Sequence, residues 1–202
     1  ARPPPPARSG ARGESRLALV RQRTLSKSEN FQRVICKIPN PNFQIPNCRP
    51  FGIWVLGFGI FLRLRLFITF EGPEGSGKST QCHLLAGHLA SLGHNVLRVR
   101  EPGDTEISQQ VRQILMDMKN KSMFPATEFL LFSSARAQLV REKIRPHLDG
   151  GGIVICDRYY DSSLAYQGYG HGIPLETIRA VTALATDSLA PDLTLLLDID
   201  PE

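Results

Sequence analysis

The chain has 202 residues, 42% hydrophobic and 21% charged, which allows one packed domain plus an appendage and excludes a disordered chain or a polytopic membrane protein. Collagen, coiled coil and disulfide scaffold are excluded on the same grounds. The formal net charge of +5 divides by position, residues 1–66 holding 12 Lys/Arg against 2 Asp/Glu and residues 67–202 holding 12 against 17; the basic character belongs to the first third, and a ligand of the larger part must meet a local basic site.

The first segment opens with Pro3, Pro4, Pro5 and Pro6, continues through Ser/Gly/Arg-rich sequence, and carries Pro39, Pro41, Pro46 and Pro50 without a sustained helical or strand period. Residues 1–66 therefore read as a basic, Pro/Arg-rich, disordered extension. The apolar run 51–62 meets Arg63 and Arg65 before it reaches the roughly 20 residues of a spanning helix, so a membrane span is not favoured. The Arg-rich, acid-poor composition is also that of some organellar transit peptides, and a non-native or wrongly delimited extension would account for it equally.

Beyond this the pattern is regular. Residues 66–70 predict a short buried strand, 78–92 a helix with Leu84, Leu85, Leu89 and Leu92 on its apolar stripe, and 95–99 a second strand. Residues 107–118 and 127–148 predict helices, 152–156 a strand, 175–189 a helix and 193–199 a strand. Strands alternating with helices predict an α/β fold, a parallel sheet with helices on both faces and a ligand site at the carboxyl ends of the strands. Of the four cysteines, Cys36, Cys48, Cys82 and Cys156, none forms a C-x-x-C pair. They read as reduced thiols of an intracellular protein.

Directly after the first of these strands stands Gly72-Pro73-Glu74-Gly75-Ser76-Gly77-Lys78-Ser79, a complete phosphate-loop motif between strand and helix. Its glycines let successive backbone N–H groups point at phosphate oxygens, the helix N-terminus adds its positive end, Lys78 spans the outer phosphates and Ser79 can ligate Mg²⁺. The strand 152–156 ends in Asp157-Arg158-Tyr159: a carboxylate suited to a metal and its waters beside a guanidinium fork suited to phosphate. Taken alone, this pair could also be a surface ion pair. Arg100-Glu101-Pro102-Gly103 follows the second strand and Arg112 lies on the next helix, while Phe132 and Arg136, four apart, share a helix face. A ring and a guanidinium so placed could stack on a base and donate to its edge, or Phe132 could be plain core.

The run 67–80, Arg-Glu-Pro-Gly at 100–103, Asp-Arg-Tyr-Tyr-Asp-Ser-Ser-Leu-Ala-Tyr-Gln-Gly at 157–168 and Pro-Asp-Leu-Thr-Leu-Leu-Leu-Asp at 191–198, in this order, resemble bacterial thymidylate kinases of the phosphate-loop nucleoside monophosphate kinase type. The resemblance covers residues 67–202 and implies transfer of the ATP γ-phosphoryl group to dTMP, giving dTDP and ADP, with Mg²⁺ as cofactor. It further implies that residues 72–79 and Thr80 bind ATP, with Lys78, Asp157 and Arg158 in catalysis. Glu74 would contact the sugar 3′-hydroxyl, Arg112 and Arg158 the dTMP phosphate, Phe132 would stack on thymine and Arg136 would donate to its edge. Ser163 and Gln167 would make further base contacts, and Tyr166 would crowd the 2′ position against a ribonucleotide. Ser79 and Asp157, with Glu101, would lie at the metal. A cytoplasmic homodimer, with neither nucleic acid nor membrane as partner, is what the resemblance implies of the surroundings.

Two departures stand out. Asp104 replaces a glycine of the family pattern, which puts a side chain and a charge where backbone freedom is usual. The family's arginine-bearing lid, last strand and closing helices would all follow Glu202, and with no Arg after Glu74 that lid is the expected source of transition-state arginines. A nucleotide-binding fragment without turnover, a kinase for another nucleotide or nucleoside, and a nucleic-acid or membrane-surface binder working through the basic segment are the alternatives.

Overall fold

The computed structural model describes residues 33–37 and 65–199. The disorder expected of the extension, its apolar run 51–62 and Cys48 lie outside the described residues. Five parallel strands form one sheet in the order β1-β5-β2-β4-β3: β1 (Arg33–Lys37), β2 (Leu66–Glu71), β3 (Val96–Arg100), β4 (Ile153–Asp157) and β5 (Leu193–Asp198). The register sets Phe70 opposite Asp157, Arg100 opposite Asp157 and Glu71 opposite Leu196. The last residues of three strands thus meet at one end of the sheet.

Within residues 1–66, β1 is a strand that the sequence reading did not single out. It pairs with β5, Arg33 opposite Thr194 and Lys37 opposite Asp198. Val34 and Ile35 favour extended backbone, but five residues are too few for a period to stand out from the surrounding Pro-rich sequence.

Side chains alternate across the strands and build a core on each face. Phe67, Val154 and Cys156 pack with Val99, Leu139, Val140, Ile144 and Leu148 on one side. Ile68, Phe70, Ile153 and Ile155 pack with Cys82, Leu85 and Leu89 of α1 (Lys78–Ser91) on the other. The near-continuous apolar character of β2 and β4 follows from that burial on both faces. Cys82 and Cys156 are free, buried thiols, as the spacing predicted.

Helices α2 (Glu106–Met116) and α3 (Pro125–Leu139) pack against each other, and Leu139 at the end of α3 enters the core on the Phe67 side of the sheet. Thr105 caps α2 by accepting the Ser108 N–H at 3.1 Å, and Pro125 occupies the first turn of α3, where its missing N–H costs nothing. The helix predicted over 127–148 is present, but it widens to a π-helical turn at Val140–Ile144 before continuing as α4 (Arg145–Asp149). Pro146 supplies the reason: it offers no N–H, and its ring would crowd the carbonyl four residues back in a regular α-helix. The Tyr160–Gly170 stretch, read only as part of a motif, is helical as well: α5 (Tyr160–Ser163) runs into a π-helical segment, Leu164–Gly170. α6 (Leu175–Thr186) completes the described elements before β5.

Candidate active site

The phosphate loop spans the end of β2 and the start of α1. Gly72 has φ +143°, and a Cβ there would land on the Leu197 carbonyl oxygen of β5. Gly77, with φ 85°, serves as the N-cap of α1. Both positions need glycine, the first for space as well as for conformation. Gly72→Ala should therefore abolish ATP binding in calorimetric titration; an affinity within threefold of the parent would show that the loop tolerates displacement from β5.

Lys78 is buried, and its ammonium folds back onto the loop, donating to Pro73 O at 2.5 Å and Ser76 Oγ at 3.3 Å. Desolvation, and next the Arg158 charge, lower its pKa from the ordinary lysine value, while Asp157, Glu71 and Glu74 oppose. The carbonyl and hydroxyl hold the ammonium where a phosphate would otherwise be its partner. Glu74, Gly75 and Thr80 are exposed. Ser79 Oγ donates to Asp157 Oδ2, so the loop hydroxyl and the carboxylate at the tip of β4 share one spot.

Arg158, one residue on, adopts φ 69°, a left-handed conformation uncommon outside glycine. Its N–H donates to Phe70 O at 2.9 Å, its Nη1 donates to Ser162 Oγ at 3.1 Å, and its Cζ sits 5.6 Å from the Tyr166 ring centroid. Ser162 in turn donates to Glu71 Oε2 at 2.7 Å, and the Tyr159 N–H donates to Glu71 Oε1 at 2.8 Å. Sequence reasoning passed over Glu71 and Ser162. The available signal was an acid closing an otherwise apolar buried strand immediately before the phosphate loop.

Burial pushes Glu71 from 4.5 up to about 7, against the Ser162 and Tyr159 hydrogen bonds. Because the folded pKa lies above the unfolded one, the native state holds a proton that the unfolded chain has released. The stability this confers is complete below about pH 4.5 and is lost as pH rises through about 7. Wild type should lose on the order of 1–3 kcal/mol relative to Glu71→Gln between pH 5 and pH 8 in urea unfolding. Parallel pH profiles for the two proteins would contradict the shift.

A second cluster joins the ends of β3, α3 and α5. Arg136 is 2% exposed; its Nε donates to Glu101 Oε2 at 2.7 Å and its Nη2 to Ser163 Oγ at 3.1 Å. Burial opposes charge on both partners, and the Glu101 carboxylate more than restores it at Arg136, whose pKa stands above the ordinary value. The Tyr159 ring lies 5.6 Å from the guanidinium carbon. Arg136 Nη1 and Glu101 Oε1 remain buried without a hydrogen-bond partner among the described residues. Such atoms cost free energy unless something else satisfies them, and a polar ligand edge would do so. Glu101, placed by resemblance at the metal, is here the partner of Arg136, whereas Ser79 and Asp157 are partners of each other.

The remaining candidates surround this core. Arg112 Nη1 donates to Pro102 O at 2.9 Å, which brings it to the Arg-Glu-Pro-Gly loop. Asp104 takes up a left-handed φ of 64° itself, and its Oδ2 accepts the Arg100 N–H at 2.5 Å. The aspartate thus fills the glycine's conformation and secures the turn through its side chain, as Asp does more readily than other residues. Gln167 is buried and donates to Glu128 Oε1 at 2.6 Å. Phe132 is half-buried on α3, one turn before Arg136, and Tyr166 is exposed. Among the described residues no group of three or more His, Cys, Asp and Glu side chains is placed to hold a metal ion, and no helix is long and apolar enough to cross a membrane.

Phosphate loop, strand-tip carboxylate and buried Arg136–Glu101 cluster therefore share one end of the sheet, and the chain is similar to known proteins over the region that holds them. A sequence model described as thymidylate kinase matches residues 70–202. A thymidylate kinase of Roseiflexus castenholzii is 56% identical over 139 residues, 69% of this chain and 61% of the relative. One of Bacillus licheniformis is 49% identical over 137 residues, 68% of this chain and 65% of the relative. The crystal structure of thymidylate kinase from Ehrlichia chaffeensis superposes with a TM-score of 0.63 at 42% identity, covering 67% of this chain and 77% of that one. The chain spans about 60% of the length of curated relatives such as the Roseiflexus protein. With the matched region taking in every motif of the site, the chain belongs to the thymidylate kinase family.

Proposed function

We propose that this site transfers the γ-phosphoryl group of ATP to dTMP, giving dTDP and ADP. The observation that carries the reading is the meeting of the phosphate loop, through the Ser79–Asp157 contact, with Arg158 and the unsatisfied Arg136 Nη1 at one end of the sheet. The loop N–H groups and Lys78 take the phosphates of ATP, and Arg158 with Arg112 takes the phosphate of dTMP. Phe132 stacks on thymine, Arg136 Nη1 donates to the base edge, Ser163 and Gln167 line it, Glu74 receives the 3′-hydroxyl and Tyr166 crowds a 2′-hydroxyl. Phosphoryl transfer asks little covalent chemistry of a protein; positioning the two anions in line and neutralising their charge supplies the catalysis.

The oxygen pair of Ser79 and Asp157 suits Mg²⁺, which binds through one or two protein oxygens and takes the rest of its ligands from phosphates and water. Bound there, Mg²⁺ would neutralise charge on the transferring group. Glu101 serves Arg136 in this reading and stands outside the metal set. The same reading makes the protein a cytoplasmic homodimer without nucleic-acid or membrane partner. Buried free thiols at Cys82 and Cys156 suit a reducing compartment, and exposed Ile107, Ile114 and Met116 on α2 suit a subunit contact, which light scattering would detect.

Calorimetric titration tests the substrate assignment. dTMP should bind with a one-to-one stoichiometry, at least tenfold more tightly than UMP, and should still bind when ATP occupies the loop. Displacement of dTMP by ATP, or equal affinity for dTMP and UMP, would overturn it.

A further inference from the structure

Glu71 is 5% exposed at the junction of β2 with the phosphate loop. Among the described residues no Lys or Arg forms an ion pair with it; its oxygens are held by a backbone N–H and a hydroxyl. A buried carboxylate satisfied only by neutral donors lowers stability when ionised, so its presence calls for a reason elsewhere in the site.

The reason lies in what its two hydrogen bonds constrain. Arg158 occupies a left-handed conformation, the kind of backbone strain that persists only where its surroundings enforce it. Phe70 O holds the N–H of Arg158 and Glu71 Oε1 holds the N–H of the next residue, Tyr159. The turn is thus clamped on both sides by the last two residues of β2. The second oxygen acts on the side chain. At pH 8, where Glu71 is ionised, its carboxylate can only accept, so Ser162 donates its single proton to Glu71 Oε2 and presents lone pairs to Arg158 Nη1, 3.1 Å away. Tyr166 lies over the guanidinium carbon.

We propose that Glu71 is the positioning residue for Arg158: it fixes the left-handed turn, orients the Ser162 hydroxyl as an acceptor for Nη1, and so keeps the other guanidinium N–H groups directed at the monophosphate. This rests on the reading of Arg158 as the partner of the dTMP phosphate. The charged and titratable groups facing Glu71 are Arg158 and Asp161 beside it, Lys78 of α1, Arg136 of α3 and Cys156 of β4.

Titration of dTMP and of ATP into wild type, Arg158→Ala, Ser162→Ala, Glu71→Gln and the Glu71→Gln/Arg158→Ala double variant at pH 8 tests the proposal. Glu71→Gln and Ser162→Ala should each weaken dTMP about threefold to tenfold, the scale of one ordinary hydrogen bond, with ATP affinity unchanged within twofold. In the Arg158→Ala background, Glu71→Gln should have no further effect on dTMP. Its thermal midpoint at pH 8 should equal or exceed that of wild type, an outcome opposite to that of a residue serving only stability. Should Glu71→Gln fail to fold, Ser162→Ala decides the question through the same dTMP/ATP split. Wild-type dTMP affinity in Ser162→Ala or Glu71→Gln while Arg158→Ala loses it would overturn the positioning role, as would an undiminished Glu71→Gln effect without Arg158. Wild-type affinity in Arg158→Ala would instead overturn the assignment of Arg158, and the positioning role with it.

Discussion

Lys78→Ala should lower dTDP formation by about 100- to 1000-fold, the scale of removing one preorganised donor from a transition state. Its ammonium is sequestered from water by the loop, with Pro73 O and Ser76 Oγ as partners. Both are neutral acceptors, and a phosphate oxygen competes with them on favourable electrostatic terms. Desolvation works in the same direction, since a lysine with a lowered pKa regains its full charge preference when an anion arrives. Because the loop N–H groups remain, ATP affinity should fall much less than turnover. A coupled ADP-release assay in which Lys78→Ala keeps more than a tenth of wild-type turnover would contradict this role.

Arg136→Ala should have two effects that can be separated. Removing the guanidinium strands Glu101 as a buried carboxylate, and breaking a buried ion pair in this way typically costs about 3–5 kcal/mol. It also removes Nη1, a donor that no protein group satisfies among the described residues. The stability loss alone could weaken dTMP binding indirectly, so the informative variant is Glu101→Gln/Arg136→Met. Neutralising both partners with groups of similar volume relieves the stranded charge while still withholding the donor. The double variant should recover most of the urea midpoint and bind ATP normally, yet bind dTMP at least tenfold more weakly than wild type. Recovery of dTMP affinity together with stability would show that Arg136 is structural only.

The parts of the site legible in the sequence are those whose logic is local. The phosphate loop is eight contiguous residues between a strand and a helix, and the alternation of apolar runs announced the parallel sheet. Contacts across the chain left no comparable signature. Glu101 and Arg136 are 35 residues apart, and neither has a period or spacing that points to the other. Arg136 read as a ligand donor on a helix face; three-dimensional packing also gives its Nε to Glu101 and an Nη2 bond to Ser163. Glu71 stands one residue past the predicted strand 66–70; its role emerges only when Tyr159 and Ser162, 88 and 91 residues later, close over it. Arg33–Lys37 went unrecognised because a short strand on a sheet edge takes its stability from its partner β5 more than from its own pattern. The π-helical turns at Val140–Ile144 and Leu164–Gly170 arise from a local proline in the first case; for the second, the sequence shows no comparable cause.

The most direct measurement of the central claim is ³¹P NMR of the protein with ATP, dTMP and Mg²⁺. Phosphoryl transfer at this site predicts that ATP signals decline as ADP and dTDP appear in equal amounts, and that the reaction stops when dTMP is left out or replaced by UMP. Loss of ATP to ADP and inorganic phosphate at the same rate with and without dTMP, or no dTDP at all while dTMP is bound, would contradict the account.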